Sequence, residues 1–306
     1  MEKIKVGLVQ INNSFSGQNY FPYSVGLLQA YAEKFLKKPS NFDFLLPIYS
    51  RIEIEQAVKK LDSAKIILFS AYVWNVRLSL KIAETIKKLH PETLIVFGGP
   101  HVPDNAEDFL RKNKYVDIAA HKEGELIICP LLENFEGDWG SIPSISYLDS
   151  ENKYIQNQWA KRIKDLEVIP SPYLDGIFKN LIEENPQERW LVMWETNRGC
   201  PFSCTFCDWG SATQAKVNKF GLERLEKEID WIRENKVEFI FCCDANFGIL
   251  KRDYEIAMYA AKSKEKYGYP QALSVQNTKN ARERAYQVQK LLSDYGLNKG
   301  VTLSLQ

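Results

Sequence analysis

Short apolar segments alternate with longer amphipathic segments in the first part of the chain. Each apolar segment is hydrophobic throughout, as in a parallel strand buried between two layers of helices. Between these segments, residues 23–37 and 77–89 repeat apolar positions at the three- and four-residue spacing of a helix. The predicted strands cover residues 4–10, 42–48, 65–70, 93–98 and 116–120. The pattern predicts an α/β fold over residues 1–137, a flavodoxin-like doubly wound parallel sheet with its ligand site at the carboxyl ends of the strands.

The alternation is interrupted over residues 138–189 and then resumes. The interrupted region carries several prolines and lacks strong periodicity, so we predict a linker that contains a hairpin from Ile145 to Ile155. Beyond it, strands are predicted at residues 191–196, 238–244, 271–276 and 301–306. Helices are predicted between them at residues 221–235, 251–267 and 280–295.

The last predicted strand, residues 301–306, has no helix after it. A parallel sheet that ends in a bare strand leaves one face and one edge uncovered. We therefore predict that residues 190–306 form the first part of a (β/α) barrel that is incomplete at its C-terminus. A chain of this kind is expected to turn over poorly by itself.

Charge and composition exclude several classes of partner. The 306 residues include 40 Lys and Arg against 39 Asp and Glu, so no overall field attracts nucleic acid or an anionic membrane. No apolar run approaches the ~20 residues that span a bilayer, and the start MEKIKVGLVQ lacks the layout of a secretory signal. We expect a cytoplasmic protein without nucleic-acid or membrane partners. Its six cysteines are then thiols or metal ligands before they are disulfides.

Three cysteines, Cys200, Cys204 and Cys207, lie on a polar loop directly after the predicted strand 191–196. Thiolates hold iron–sulfur clusters, which usually take four of them. Because the loop supplies three, the fourth iron would keep an open position, and open positions are where metal centres do chemistry. The spacing predicts a [4Fe–4S] cluster whose three metal ligands are also the catalytic residues.

Structural zinc is the main alternative for this loop, and three unrelated buried thiols are a weaker one. Structural zinc takes four closed ligands, and Cys242 or Cys243 would have to supply the fourth. These two cysteines are adjacent on a predicted strand, so they point to opposite faces and at most one faces the loop. No histidine lies beyond His121, which excludes a Cys/His finger in this half.

The C-x-x-x-C-x-x-C motif after the first strand of a βα series resembles the radical S-adenosylmethionine (SAM) superfamily. Phe206 matches the aromatic residue that precedes the last cysteine of that motif. The resemblance implies that the three cysteines bind three irons and that the methionine part of SAM chelates the fourth. It also implies that an electron from the reduced cluster cleaves SAM to methionine and a deoxyadenosyl radical.

Polar residues at the ends of the later strands are the candidates for holding SAM. The superfamily commonly has Gly-Gly-Glu after the second strand, where this chain has Asp244-Ala245-Asn246. Asp244 and Asn246 are therefore candidates for the methionine amine, and a loop acid that caps the next helix is the alternative. Ser274 and Gln276 are further candidates because barrel folds collect functional side chains at strand ends. Ordinary strand-end polarity explains each of these two as well.

Several strand ends within residues 1–137 carry a second resemblance. Neither a G-x-G-x-x-G after the first strand nor a P-loop occurs, which disfavours dinucleotide and nucleotide sites. The strand ends resemble those of the cobalamin-binding domain that precedes the radical domain in one branch of the superfamily. The residues concerned are Ser70, Tyr72 and Trp74 after the third strand, Gly98, Gly99 and Pro100 after the fourth, and Glu123 after the fifth. Residues 12–14 lack the Asp-x-His-x-x-Gly that ligates cobalt in other cobalamin proteins, which leaves the lower ligand open.

The two resemblances together imply a radical SAM enzyme with three cofactors: a [4Fe–4S] cluster, SAM and cobalamin. We expect methyl transfer to an unactivated carbon. Cobalamin-dependent rearrangement or cyclisation is one alternative, and a non-catalytic cobalamin-binding fragment is another. The expected partners are a small-molecule or peptide substrate and an electron donor such as flavodoxin or ferredoxin.

Overall fold

The computed structural model describes residues 2–205, 207, 216–278, 283–298 and 300. Phe206, the predicted strand 301–306 and the start of the helix predicted at 280–295 lie outside these residues. In chain order the strands are β1 Ile4–Val9, β2 Asn19–Tyr20, β3 Phe42–Phe44, β4 Ile66–Ser70, β5 Leu94–Gly98, β6 Ile118–Ala120, β7 Ile145–Leu148, β8 Tyr154–Gln156, β9 Trp190–Trp194, β10 Asn197–Arg198, β11 Asn218–Lys219, β12 Phe239–Cys242 and β13 Ala272–Ser274. The helices are α1 Tyr23–Phe35, α2 Ile54–Leu61, α3 Val76–Leu89, α4 Glu107–Lys112, α5 Glu125–Glu133, α6 Lys179–Glu184, α7 Leu222–Glu234, α8 Asp253–Tyr267 and α9 Glu283–Asp294.

The chain divides into two compact units. Unit 1 comprises Met1–Phe15, Ser24–Ile163 and Ile169–Pro186. Unit 2 comprises Ser16–Tyr23, Lys164–Val168 and Gln187–Gln306. The domains expected at residues 1–137 and 190–306, with the linker 138–189 between them, stay a prediction.

The described residues of unit 1 build a sheet in the order β3-β1-β4-β5-β6-β7-β8. The first five of these strands run parallel, and their order is the flavodoxin-like one predicted from the sequence. Strands β7 and β8 form an antiparallel hairpin that pairs with β6. The hairpin predicted from Ile145 to Ile155 is therefore present, and it covers an edge of the sheet that would otherwise expose unpaired backbone groups.

Both faces of the unit 1 sheet are buried under helices. On one face, Ile67, Phe69 and Phe97 pack with side chains from α2, α3 and α4. On the other face, Leu68 and Val96 pack with side chains from α1 and α5. Successive strand residues point to opposite faces and both sets are buried, which explains the uninterrupted apolar segments in the sequence. In the described part of the chain, no helix is both long enough and apolar enough to cross a bilayer.

The described residues of unit 2 build a parallel sheet in the order β13-β12-β9-β2. Helices α7, α8 and α9 follow β9, β12 and β13 in the chain, as in the opening units of a (β/α) barrel. The predicted α/β fold class is confirmed. The two-residue strand β2, which the sequence pattern did not reveal, pairs with β9, and Phe21 stacks on Trp190 with ring centroids 4.6 Å apart.

Candidate functional sites

The loop with the three cysteines begins and ends on the antiparallel pair of β10 and β11. Gly199 precedes the first cysteine at φ +125°, and a Cβ there would lie 2.5 Å from the Lys216 carbonyl oxygen, so glycine alone fits. Cys200 is buried, whereas Cys204 and Cys207 are partly exposed. The Cys207 amide donates to the Cys204 carbonyl oxygen at 3.2 Å, so a turn brings these two residues together. The backbone at both ends of the motif is thus fixed.

The end of β12 reaches the first cysteine of this loop. Asn246 follows β12, is 2% exposed, and donates through Nδ2 to Cys200 Sγ at 3.1 Å. Its Oδ1 atom is buried and accepts no hydrogen bond from the described residues. A buried amide oxygen of this kind calls for a donor, and an N–H group directed at sulfur favours a thiolate acceptor. Both features fit a cluster ligand beside a bound ammonium group.

The other candidate after β12, Asp244, has both carboxylate oxygens engaged. Oδ1 accepts from the amides of Thr196 and Asn197 at 2.8 and 3.2 Å. Oδ2 accepts from Asn197 Nδ2 at 2.7 Å and from the Thr196 hydroxyl. Burial raises the pKa of Asp244 to about 7, against the opposing effect of the hydrogen bonds from Thr196 and Asn197. Of the two predicted candidates for the methionine amine, Asn246 is the one with an open acceptor.

Arg252 holds the same region from the start of α8. Its Nη2 donates to the Thr196 carbonyl oxygen at 2.6 Å, and its Nη1 donates to the Phe220 carbonyl oxygen. The sequence analysis did not identify this buried residue, because its partners are main-chain atoms of segments far from it in the chain. An arginine directly before an acidic helix start carries no signal of that contact.

The predicted candidates Ser274 and Gln276 lie at the end of β13 and just after it. The carbonyl oxygen of Gln276 accepts from the Phe247 amide at 2.8 Å, so its main chain holds the loop after β12. A role for either side chain in binding SAM stays a prediction. Phe206 lies outside the described residues.

The zinc alternative requires side chains that share one ion. Among the described residues, no three Cys, His, Asp or Glu side chains lie close enough together to hold a single metal ion. Burial raises the pKa of Cys242 and of Cys243 well above the usual range of a thiol. Burial therefore disfavours a free thiolate at either position. The thiolates of a cluster bind different irons, so these observations concern the single-ion site only.

The carboxyl ends of the unit 1 strands are held together by main-chain hydrogen bonds and one asparagine. Asn75 is buried before α3; its Oδ1 accepts from the Tyr72 amide at 2.8 Å, and its Nδ2 donates to the carbonyl oxygens of Ile11 and Ser70, each at 3.0 Å. One side chain thus joins the ends of β1 and β4. The sequence analysis did not select Asn75 as a site residue; its place directly after Trp74 and before a helix was the available signal.

An aromatic pair lies on the loop that Asn75 fixes. The rings of Tyr72 and Trp74 stack with centroids 4.5 Å apart, and the Tyr72 hydroxyl lies 3.1 Å from the Ser24 hydroxyl. Trp74 is 42% exposed and the intervening Val73 is 76% exposed. An exposed apolar surface at the carboxyl ends of a parallel sheet is suited to a broad, flat ligand.

The glycine pair after β5 allows the backbone to pass close to β4. Gly99 has φ +97°, and a Cβ there would lie 2.7 Å from the Ala71 carbonyl oxygen. A Cβ on Gly98 would lie 3.6 Å from its nearest atom, which is an ordinary contact distance. Glycine is therefore required at position 99 and not at position 98. The predicted neighbours of the pair are partly placed: Pro100 follows in a turn, and the Glu123 carboxylate accepts from the Ile163 amide at 2.7 Å.

Two buried amide groups stand at the end of β1. Gln10 Nε2 and Asn12 Nδ2 are buried and donate no hydrogen bond to the described residues. The Gln10 oxygen accepts from the Val25 amide at 3.2 Å, which fixes the orientation of that side chain. Buried donors of this kind fit a ligand with peripheral amide oxygens, such as the side chains around a corrin ring.

Comparison with known proteins agrees with this arrangement. The family described as the B12 binding domain matches residues 7–132. The cobalamin-dependent radical SAM methyltransferase TokK of Streptomyces tokunonensis is 38% identical over 300 residues, which is 95% of this chain and 44% of that protein. This chain is therefore similar to a cobalamin-dependent radical SAM methyltransferase over nearly all of its own length. A second relative, the 2-(S-pantetheinyl)-carbapenam-3-carboxylate methyltransferase of Streptantibioticus cattleyicolor, is 38% identical over 94% of this chain and is covered to 43% of its own length.

Solved structures share the fold of this chain. The cobalamin-dependent radical SAM enzyme OxsB, with aqua-cobalamin and SAM bound, matches 96% of the chain and 42% of its own length at a TM-score of 0.69 and 21% identity. The radical SAM methyltransferase TsrM of Kitasatospora setae, with cobalamin and a [4Fe–4S] cluster bound, matches 96% of the chain and 57% of its own length at a TM-score of 0.70 and 14% identity. The chain spans under half the length of the two curated relatives.

Proposed function

We propose that this chain holds cobalamin on unit 1 and a [4Fe–4S] cluster with SAM on unit 2, as the cofactor-binding part of a radical methyltransferase. The observation that carries the proposal is Asn246, which donates to the sulfur of Cys200 and keeps a buried oxygen without a hydrogen-bond partner among the described residues. An N–H group can donate to the sulfur of a zinc-bound thiolate as well, so the hydrogen bond to Cys200 does not decide between the two sites. The buried open oxygen beside that sulfur is what favours a cluster ligand next to a bound amino acid.

The residues of unit 2 take the following roles in this proposal. When bound, the cluster supplies the electron that cleaves SAM, and cobalamin supplies the methyl group. Cys200, Cys204 and Cys207 hold three irons as thiolates. Asn246 accepts a hydrogen bond from the methionine ammonium through Oδ1. Phe206, Ser274 and Gln276 are further candidates for contacts with SAM.

The residues of unit 1 hold cobalamin by shape and by a few polar contacts. Tyr72 and Trp74 present apolar surface, and Gly99 lets the ligand approach the backbone. Gln10 and Asn12 donate to peripheral amide oxygens. Ser70, Gly98, Pro100 and Glu123 complete the predicted set at the strand ends.

Methyl transfer to an unactivated carbon of a small molecule is the outcome we propose. It is supported by the two relatives at 38% identity, both of which are named as methyltransferases. Cyclisation is the second candidate, because an anaerobic magnesium-protoporphyrin IX monomethyl ester cyclase of Cereibacter sphaeroides is 24% identical over 175 residues. A flavodoxin or ferredoxin is the proposed electron donor.

Anaerobic reconstitution tests the proposal. The chain is purified without oxygen, supplied with iron, sulfide and hydroxocobalamin, and examined by visible and EPR spectroscopy with and without SAM. We expect a corrin spectrum, a reducible [4Fe–4S] signal and a change in that signal when SAM binds. Cys204→Ala should remove the cluster and keep the corrin. Cys129→Ala, which alters a partly buried cysteine of unit 1, should keep both.

Three outcomes would contradict parts of the proposal. A cluster spectrum that survives Cys204→Ala would place the cluster elsewhere. One zinc ion per chain with no iron would favour the structural zinc site. Bound cobalamin without any cluster would favour the non-catalytic cobalamin-binding alternative.

A further inference from the structure

We infer that Asp244 is a positioning residue that does not bind SAM itself. It fixes Thr196 and Asn197, the junction between β9 and the cysteine loop. The inference rests on the proposed function for its meaning, because the loop it fixes is the proposed cluster loop. It concerns a residue whose carboxylate accepts four hydrogen bonds from two consecutive residues, Thr196 and Asn197, which follow β9.

The Asp244 carboxylate has no acceptor capacity to spare. An ionised carboxylate offers about four lone-pair sites on two oxygens. Here each oxygen accepts from two donors: the amides of Thr196 and Asn197 on Oδ1, and their side chains on Oδ2. A ligand ammonium would have to displace one of these donors and leave it buried without a partner, which costs free energy.

Arg252 and the Phe220 amide also hold the junction. The Thr196 carbonyl oxygen accepts from Arg252 Nη2 at 2.6 Å and from the Phe220 amide at 3.1 Å. Thr196 is fully buried, and its amide, hydroxyl and carbonyl groups are all engaged. These hydrogen bonds together fix the orientation of Thr196.

This orientation sets the position of Cys200. The chain leaves the parallel sheet at Thr196 and pairs through Asn197 with β11. Gly199 then turns at positive φ directly before the cysteine. Asp244 also stands two residues before Asn246, whose amide contacts Cys200 Sγ. One carboxylate therefore fixes both partners of that contact relative to each other.

Replacement of the carboxylate tests the role. Asp244→Asn brings an amide N–H group against the donors on Oδ2, so the junction loosens. We expect the variant to fold and keep cobalamin, and its affinity for iron in cluster assembly to fall by about tenfold or more, as for other residues that orient metal ligands. The EPR signal of the remaining cluster should broaden, since the ligands then sample several positions.

An exchange of partners and a matched control separate positioning from general damage. The double variant Asn197→Asp with Asp244→Asn keeps the side-chain hydrogen bond with donor and acceptor exchanged, so it should recover most of the cluster. Asp230→Asn alters a partly buried acid on α7 of the same unit, which accepts from Arg233 Nη1 and from the Tyr259 hydroxyl. It should assemble the cluster as the unaltered chain does.

Each outcome decides the role of Asp244. A normal cluster in Asp244→Asn whose EPR signal no longer responds to SAM would make Asp244 a SAM ligand and overturn the inference. A normal cluster with a normal SAM response would overturn it as well. If the unaltered chain assembles no cluster, the proposed function fails, and the inference is judged by amide hydrogen exchange at Thr196 and Asn197. Faster exchange in Asp244→Asn but not in Asp230→Asn supports positioning, and equal exchange in the two variants overturns it.

Discussion

The loops at the strand ends of the two units are held by different kinds of groups. In unit 1 the loops are held by main-chain contacts, by the neutral side chain of Asn75 and by Gly99, and the exposed groups are aromatic. In unit 2 the loop is held by the buried ionisable groups of Asp244 and Arg252. A broad apolar ligand needs a shaped surface, whereas a small set of metal ligands needs fixed directions. The chemistry of each support matches the kind of ligand proposed for that unit.

The difference also predicts how each unit responds to change. The stability and cobalamin binding of unit 1 should fall when its shape is altered or its neutral hydrogen bonds are lost. The stability of unit 2 should change when the charge of its supporting groups changes. Four measurements examine this contrast, beginning with the largest expected effect.

The strongest expected effect is on the shape of the unit 1 strand ends. Gly99→Val introduces a Cβ 2.7 Å from the Ala71 carbonyl oxygen at a positive φ. We expect the free energy of unfolding of unit 1 to fall by about 3 kcal/mol and cobalamin binding to be lost, measured by chemical denaturation and by corrin absorbance. Gly98→Ala is the control, with small effects on both. Equal effects of the two variants would mean that the close approach at Gly99 is unimportant.

The next effect concerns the neutral hydrogen bonds of the same site. Asn75→Ala leaves the Tyr72 amide and the carbonyl oxygens of Ile11 and Ser70 without their side-chain partner. We expect a loss of about 2 kcal/mol of unfolding free energy. Cobalamin binding should also weaken, because the loop that carries Tyr72 and Trp74 is no longer fixed. Asn113→Ala, which removes an asparagine that caps α4, should lower stability without affecting cobalamin. Unchanged cobalamin affinity in Asn75→Ala would separate this asparagine from the site.

A smaller effect is expected from the exposed aromatic surface. Trp74→Ala should lower cobalamin affinity by about tenfold through lost ring contact, with little change in unfolding free energy, because the residue is half-exposed. Phe35→Ala is the matched control, since Phe35 is 43% exposed in the same unit and lies at the end of α1. Equilibrium titration with hydroxocobalamin measures both. An equal loss in the two variants would remove Trp74 from the site.

The smallest expected effect is on the pH dependence of the unfolding free energy of unit 2, through Asp244. The pKa of Asp244 is raised by burial from 3.8 to about 7, so the folded protein binds more protons than the unfolded chain between these values. Stability contributed by this group therefore falls as pH rises. From about pH 6 to about pH 8, the unfolding free energy of the unaltered chain relative to Asp244→Asn should fall by about 1 kcal/mol. A difference that increases with pH would contradict the raised pKa.

The fold could be predicted from the sequence where the pattern reflects burial on both faces. The strands at residues 65–70 and 93–98 and the helix at 77–89 were predicted to within about two residues, since apolar runs and helical spacing are local signals. The two-residue strand β2 could not be predicted, because its identity comes from pairing with Trp190 and Leu191. Short strands have no periodicity of their own.

The candidate sites show the same limit. The spacing of Cys200, Cys204 and Cys207 identified the loop, and the location of Asp244 and Asn246 after β12 identified the neighbouring strand end. Their different roles were not distinguishable from the sequence, because both are polar residues at the same strand end. The structure separates them by their partners: four donors occupy Asp244, and Asn246 keeps a buried oxygen.

The sequence by itself determined the alternation of strands and helices, the cysteine spacing and the glycine pair, because each depends on the chemistry of neighbouring residues. The tertiary structure alone decided which buried polar groups are satisfied and which stay open. Asp244 meets Thr196 across 48 residues, and Arg252 meets the same residue across 56. Hydrogen bonds over such separations depend on how strands are placed side by side, and no local pattern in the chain records that placement.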